Sequence, residues 1–193
     1  GLDSRIGSKY LKGGLGYGGP CLDRDNIALA TLANNLGANA RLVEATDLSN
    51  GQEVIRLVTL IKSKRDKIGV VGILGLSYKP ETNVVEASQG LLLAQTLAIE
   101  GIPVIAYDPA AINQAHQVLG ESVLFSESAE DCIQKSDVVV ITTPWDEFKK
   151  LDPLSFAPSG SRVLIDCWRI LDASRFSAMT DYIEIGVGPV ANR

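Results

Sequence analysis

A single thiol stands at the end of a glycine-rich run. Gly13-Gly14-Leu15-Gly16-Tyr17-Gly18-Gly19-Pro20-Cys21-Leu22-Asp23-Arg24-Asp25 places five glycines in seven residues shortly before Cys21. Glycine admits positive φ and lets backbone lie close against a ligand. The successive N–H groups of such a loop suit a phosphate. A cysteine near a helix start and beside Arg24 sits where the thiolate is favoured, while Asp23 and Asp25 oppose that charge. Two readings fit the pattern: an activated nucleophile presented by the loop, or a glycine-rich turn closing over a small buried cysteine.

Composition narrows the rest of the chemistry. With one histidine, His116, neither a Ser-His-Asp triad nor a multi-histidine metal site is expected. The three cysteines, Cys21, Cys132 and Cys167, lie far apart without CxxC spacing. That usage fits a reducing cytoplasm rather than a disulfide framework, and no metal site is expected. A net charge of -5 with no basic stripe argues against nucleic acid as a partner. No leader is recognisable and no apolar run reaches the ~18–20 residues a membrane span needs. The chain starts at Gly1, without Met and already inside a motif, and reads as a fragment of a longer protein.

The elements that must position the thiol alternate along the chain. Residues 1–24 read as loop. Asp25 or Asn26 can cap a helix through Ile27, Leu29, Ala30, Leu32 and Ala33 that Gly37 stops. A second helix over about 40–65 gathers Leu42, Val43, Val54, Leu57, Val58 and Ile61 on one side, with a break possible at Gly51. Strands are expected at 70–74, 103–107, 123–125, 137–143, 162–166 and 182–187. Helices between them are expected at 88–100, 110–118 and 129–134. The apolar, non-alternating Val138-Val139-Val140-Ile141 suits a central strand buried on both faces.

This pattern predicts an α/β protein: a helical N-terminal segment, residues 1–66, followed by a Rossmann-like parallel-sheet domain, residues 67–193. Ligands in such sheets sit at the carboxyl ends of the strands. That edge would carry Ser77, Tyr78, Lys79, Asp108, Thr142 to Trp145 and Asp166 to Arg169. Trp145 and Trp168 suit packing better than base stacking there. Cys132 and Cys167 read as core or strand-end residues and His116 as a helix-surface residue.

The glycine-rich stretch resembles the signature of the nucleotide-sugar 6-dehydrogenases, the UDP-glucose/GDP-mannose dehydrogenase family, which runs Gly-x-Gly-Phe/Tyr-Gly-Gly-x-Cys-x-x-Lys-Asp. Asp3-x-Arg5-Ile6-Gly7-x-x-Tyr10-Leu11 is similar to that family's approach to the motif. The similarity continues through Gly75-Leu76-Ser77-Tyr78-Lys79-Pro80-x-Thr82, Ser88, Tyr107-Asp108-Pro109, Asp137-Val138-Val139-Val140 and the Asp166 region.

The resemblance implies oxidation of the C6 alcohol of a UDP-sugar or GDP-mannose to a uronate, with two NAD as oxidant. It implies Cys21 as the nucleophile that traps the aldehyde and carries it to a thioester, with Asp25 assisting water activation or holding the site. Implied substrate contacts are Arg5, Tyr10, Leu11, Lys12, Gly13, Gly14, Gly16, Tyr17, Gly18, Lys79 and Arg169. Arg5 would reach a neighbouring subunit's substrate, in a homodimer or higher homo-oligomer whose dimer core is the long helix. Arg24 would face the cofactor. NAD itself would be bound mainly by an N-terminal domain outside this chain, so the fragment is expected to be inactive alone.

Four departures qualify the resemblance. Arg24 stands for lysine and Pro20 for serine. Asn83-Val84-Val85-Glu86 puts a carboxylate where the family often has an arginine facing NAD. Cys167-Trp168-Arg169 carries its arginine one place late. Alongside the enzyme stands a second reading: a non-catalytic nucleotide-sugar-binding or oligomerisation module of the same fold.

Overall fold

The structure, a computed structural model, describes residues 1–9, 11, 13–64, 69–157 and 162–188. Six strands form one parallel sheet: β1 (Val71–Leu74), β2 (Val104–Tyr107), β3 (Leu124–Phe125), β4 (Val138–Ile141), β5 (Val163–Asp166) and β6 (Asp181–Glu184). Their spatial order is β3-β2-β1-β4-β5-β6, with every pairing parallel. The order reverses between β1 and β4, the doubly wound arrangement whose switch point is the usual ligand crevice. β1, β4 and β5 are buried along their whole length, as expected for strands covered on both faces.

Helices cover both sides. On one, α2 (Arg41–Ser63), α3 (Gln89–Ile99) and α4 (Ile112–Leu119) contribute Val54, Leu57, Ile61, Leu93, Leu97 and Ala115 to a core with Val71, Ile73, Val138 and Val140. On the other, α5 (Ala129–Gln134), α6 (Ala173–Phe176) and short 3-10 turns bring Ile133, Phe148, Phe156 and Phe176 onto Leu74, Val139 and Leu164. Cys132 and Cys167 are fully buried, as the sequence suggested.

Local chemistry explains most boundaries. Ser88 caps α3, its side chain accepting the Leu91 N–H at 3.4 Å. Gly101, at φ 75°, ends that helix. Two expectations are corrected. α1 spans Leu22–Asn35, so it begins ahead of Asp25 and Asn26, with Cys21 itself at the N-cap. Gly51 interrupts nothing: α2 runs through it, because Val54, Leu57, Val58 and Ile61 anchor the following turns in the core. α6 and the 3-10 turns, too short for periodicity to reveal, were not anticipated.

Candidate functional site

The glycine-rich loop lies against the carboxyl edge of the sheet, and each contact explains a glycine. A methyl on Gly14 would meet the Trp168 ring at 2.5 Å, and one on Gly13 would meet Arg169 Nη2 at 2.9 Å. On Gly18 it would run into the Ala87 carbonyl, and on Gly16 into the Asn50 side chain. Gly19 takes φ +91° with the Tyr78 ring 2.6 Å from where a Cβ would be, and its N–H donates to Glu86 O at 2.9 Å. The loop is therefore pinned at its end by the β1–α3 connection.

Its middle is held by α1, α2 and α3. Asn50 Nδ2 and Gln89 Nε2 both donate to the Tyr17 carbonyl, each at 3.0 Å. The Tyr17 hydroxyl donates to Asp47, which also accepts from Asn26 Nδ2 at 2.7 Å. Asn26 Nδ2 lies 3.1 Å from the Tyr17 hydroxyl as well. Sequence reading missed Asn26 as a loop tie, and Asp47, Asn50 and Gln89 altogether. Their only signal was polar side chains on helices that otherwise carry apolar faces.

Titration of this tie has a defined sign. Burial, then the bond to Asp47, pushes the Tyr17 hydroxyl up to about 12 from 10.0. The bonds from Tyr17 and Asn26 hold the Asp47 carboxyl below the usual carboxylate range. A raised tyrosine stabilises the fold fully below its unfolded value, and that contribution is lost as pH rises from 10 toward about 12. The lowered Asp47 works at the other end, its contribution vanishing as pH falls through its depressed value. Melting temperature should fall across the alkaline window, and Tyr17→Phe should remove part of that fall. An unchanged alkaline limb in the variant would show that the tie contributes nothing.

Cys21 is exposed at the start of α1, and the Asp25 N–H donates to its carbonyl at 2.9 Å. Within residues 1–193 the thiol is therefore not buried in the core. Asp25 is exposed one helical turn on, with Arg24 Nε 3.4 Å from its carboxylate. Arg24 and Lys79 are exposed, and Lys79 Nζ stands 5.4 Å from the Tyr78 ring centroid. Arg5 pairs with Asp3 at 2.6 Å, and Leu11 is exposed. Tyr10 and Lys12 lie outside the described residues.

The strand ends expected to meet ligand divide into two kinds. Asp108 and Asp166 are structural. Asp108, 1% exposed, accepts from the N–H groups of Leu76, Ser77, Ala110 and Ala111 at 2.7–2.9 Å. Ser77 Oγ at 2.9 Å and Trp145 Nε1 at 3.2 Å complete its shell. Asp166 accepts from Trp168, Ile170 and Leu171 N–H and from the Tyr182 hydroxyl at 2.8–3.0 Å. Trp145 is thus a buried packing residue. Open space remains beside them: a cavity of about 650 Å³ is lined by Gly13, Pro80, Pro144, Lys149, Trp168, Arg169 and Ile170. Lys149, also unforeseen, lines it beside Arg169, with its Nζ paired to the Asp146 carboxylate at 2.6 Å.

The chain matches two family models: the UDP-binding domain of the UDP-glucose/GDP-mannose dehydrogenase family over residues 72–173, and that family's central domain over residues 1–52. The chain belongs to the UDP-glucose/GDP-mannose dehydrogenase family. It is 37% identical over 173 residues to the UDP-glucose 6-dehydrogenase AglM of Haloferax volcanii, covering 89% of this chain and 40% of that protein. With TuaD, a UDP-glucose 6-dehydrogenase of Bacillus subtilis, identity is 36% over 156 residues, 79% of this chain and 33% of the relative. The chain thus spans well under half the length of these relatives. A UDP-glucose dehydrogenase from the archaeon Pyrobaculum islandicum superposes with a TM-score of 0.83 at 30% identity, over 95% of this chain and 41% of that one. A GDP-mannose dehydrogenase from Pseudomonas aeruginosa shares the fold at a TM-score of 0.77 and 24% identity, over 93% and 42%.

The family's dinucleotide chemistry can be tested against this sheet. A dinucleotide at a switch point needs an open Gly-rich turn after the first strand and a free acidic side chain after the second. Here the space above Gly75, at φ +112°, is filled by Thr143, and Thr142 Oγ1 donates to the Gly75 carbonyl at 2.6 Å. Asp108 is saturated by the chain's own donors. This sheet does not fit NAD at its switch point. Among the described residues no cluster could hold a metal ion, and no helix is long and apolar enough to cross a membrane.

Proposed function

We propose that these residues form the substrate-handling part of a nucleotide-sugar 6-dehydrogenase that oxidises C6 of a UDP-sugar or GDP-mannose to the carboxylate. Residues 1–66 carry the thiol loop and the association helices, and residues 67–193 carry the nucleotide. The observation that supports this most is the exposed Cys21 at the helix start, ending a loop that shares Gly13 and the Trp168 contact with the sheet-edge cavity.

The nucleotide's base and diphosphate would enter that cavity, where Arg169 offers positive charge. Lys79 and the loop N–H groups would lie along the path to the sugar. The Cys21 sulfur adds to the C6 aldehyde carbon, and the carbonyl electron pair moves to oxygen, which takes a proton. After the second two-electron oxidation the same sulfur holds C6 as a thioester. Water attacks, the C–S bond breaks, and the thiolate is restored. Asp25, one turn from Cys21, accepts the water's proton or orients it. NAD, when bound, supplies the hydride acceptor, and the reading assigns it mainly to parts of the protein outside residues 1–193, with Arg24 facing it.

The same reading pairs two copies through the helices. α1 buries no residue, and Ile27, Leu29, Leu32 and Leu36 are exposed beside Leu42 and Leu48 of α2. In such a dimer Arg5 would approach the partner's substrate.

One observation favours the non-catalytic alternative. Glu86 presents an exposed carboxylate beside the loop, where a cofactor phosphate would be repelled. A turnover assay decides between them. The full-length protein with NAD and UDP-glucose, UDP-N-acetylmannosamine, UDP-galactose and GDP-mannose should yield uronate from one of these, with two NADH per uronate. No turnover on any of them sinks the enzyme reading, and the isolated 193-residue chain should be inactive on all.

A further inference from the structure

Trp168 stands where the family pattern often carries its arginine, one place before Arg169, and its surroundings give it a defined task. Its N–H donates to Asp166 Oδ1 at 3.0 Å and its Nε1 to the Thr142 carbonyl at 2.8 Å. Both acceptors belong to the buried strand ends, so the ring cannot slide. That fixed ring is the surface on which Gly14 rests, with no room for even a methyl between them.

Arg169 grips the same stretch. Its φ of 53° is a conformation non-glycine residues seldom adopt, and such outliers persist where surrounding structure over-determines them. Its guanidinium donates to the Ile185 carbonyl at 2.7 Å and to the Gly13 carbonyl at 3.3 Å. It thereby ties the loop start to the chain following β6. Both residues also line the sheet-edge cavity with Gly13, Pro80, Pro144 and Lys149. One side of the pair faces the cavity and the other carries the loop that leads to Cys21.

We infer that Trp168 and Arg169 are positioning residues that register the glycine-rich loop on the sheet edge, so that a nucleotide in the adjacent cavity is felt at the thiol. The inference rests on the functional reading above for the identity of the ligand and the role of Cys21. A loop with five glycines in seven residues does not hold its shape alone, so its height above the sheet is set by what it rests on. A nucleotide pressing on Gly13, Trp168 and Arg169 stabilises one loop position. Binding energy from the end of the substrate remote from C6 is then used at the reacting end.

The test uses the full-length protein with UDP alone as the probe and the sugar it turns over as substrate. Trp168→Ala should lower kcat at saturating substrate by about 10- to 100-fold, the scale of a roughly 1 Å misplacement and a loss that weaker UDP binding alone does not produce. Trp168→Phe keeps a ring under Gly14 and should recover most of the rate. Gly14→Ala should lower kcat like Trp168→Ala, yet the double variant should do no worse than either single, because the methyl fills space the ring leaves. By hydrogen exchange, UDP should add protection to residues 13–16 in the wild type and add none in Trp168→Ala. A Trp168→Ala effect confined to KM, multiplicative losses in the double variant, or UDP protection that survives Trp168→Ala would each overturn the proposal. Failure of UDP to protect the wild-type loop would overturn it too. Should no sugar be oxidised, the enzyme reading fails, and the exchange experiment still decides the coupling.

Discussion

Cys21→Ala in the full-length protein should cut uronate formation by on the order of 10³-fold or more, the scale seen when a covalent nucleophile is removed. The loss should fall on the second half of the reaction. The first oxidation, alcohol to aldehyde, needs no sulfur, so aldehyde trapped by a hydroxylamine should appear in place of uronate. Binding of UDP should be nearly unchanged, because Cys21 lies beyond the loop and outside the sheet-edge cavity. The other two thiols provide a control. Burial pushes Cys132 up to about 12 and Cys167 well above its ordinary value, and both are enclosed in the core. Alkylation near neutral pH should therefore label, of the three cysteines in residues 1–193, the exposed Cys21 alone, with activity lost in step with the label at that position. Uronate at the wild-type rate from Cys21→Ala, or full activity after complete labelling, would remove Cys21 from the mechanism.

Asp108→Ala should destabilise the fold by about 3–5 kcal/mol, the range for breaking a buried charged hydrogen-bonded network by removing one partner. The carboxylate is the acceptor for four backbone N–H groups, one hydroxyl and one indole around the ends of β1, β2 and β4. Those donors would be left in a site closed to bulk water, and relaxation could re-pair only some of them. Melting should drop by roughly 10 °C, given about 2–4 °C per kcal/mol at this size. Asp108→Asn should lose less, since one oxygen remains to accept. The measurement also separates two roles for an acid after a second strand. A ribose-binding carboxylate would weaken ligand affinity while leaving melting near the wild-type value, and that result would contradict the assignment of Asp108 as structural.

Much of the sheet was legible because its signals are local. Val138-Val139-Val140-Ile141 lacks alternation because both its faces are covered, and Ser88 and Gly101 punctuate α3 through their own backbone and side-chain chemistry. The motif around Cys21 was legible for a similar reason, since close backbone approach needs glycine whatever the rest of the chain does. The start of α1 lies ahead of its expected caps: asparagine and aspartate cap well in general, while here Cys21 takes the N-cap position with no side-chain bond at all. Gly51 reads as a break from sequence because its cost is local, while the anchoring of Val54, Leu57, Val58 and Ile61 in the core is not.

For the site, sequence by itself determined the thiol, the glycine-rich approach to it, and the parallel sheet whose carboxyl edge is the expected place for a ligand. These follow from residue type, spacing and periodicity, which act over a few residues. Tertiary structure alone decided which side chains hold the loop and which strand-end groups remain available. Asp47, Asn50 and Gln89 meet Tyr17 across 30 to 72 residues of chain, and Trp168 and Arg169 meet Gly14 and Gly13 across about 155. Asp108 and Asp166 stood in the sequence as candidate ligands, and only the folded chain showed their oxygens already filled. The physical reason is that a hydrogen bond or a van der Waals stop depends on distance in space, and distance along the chain carries no record of it until the sheet and helices have closed.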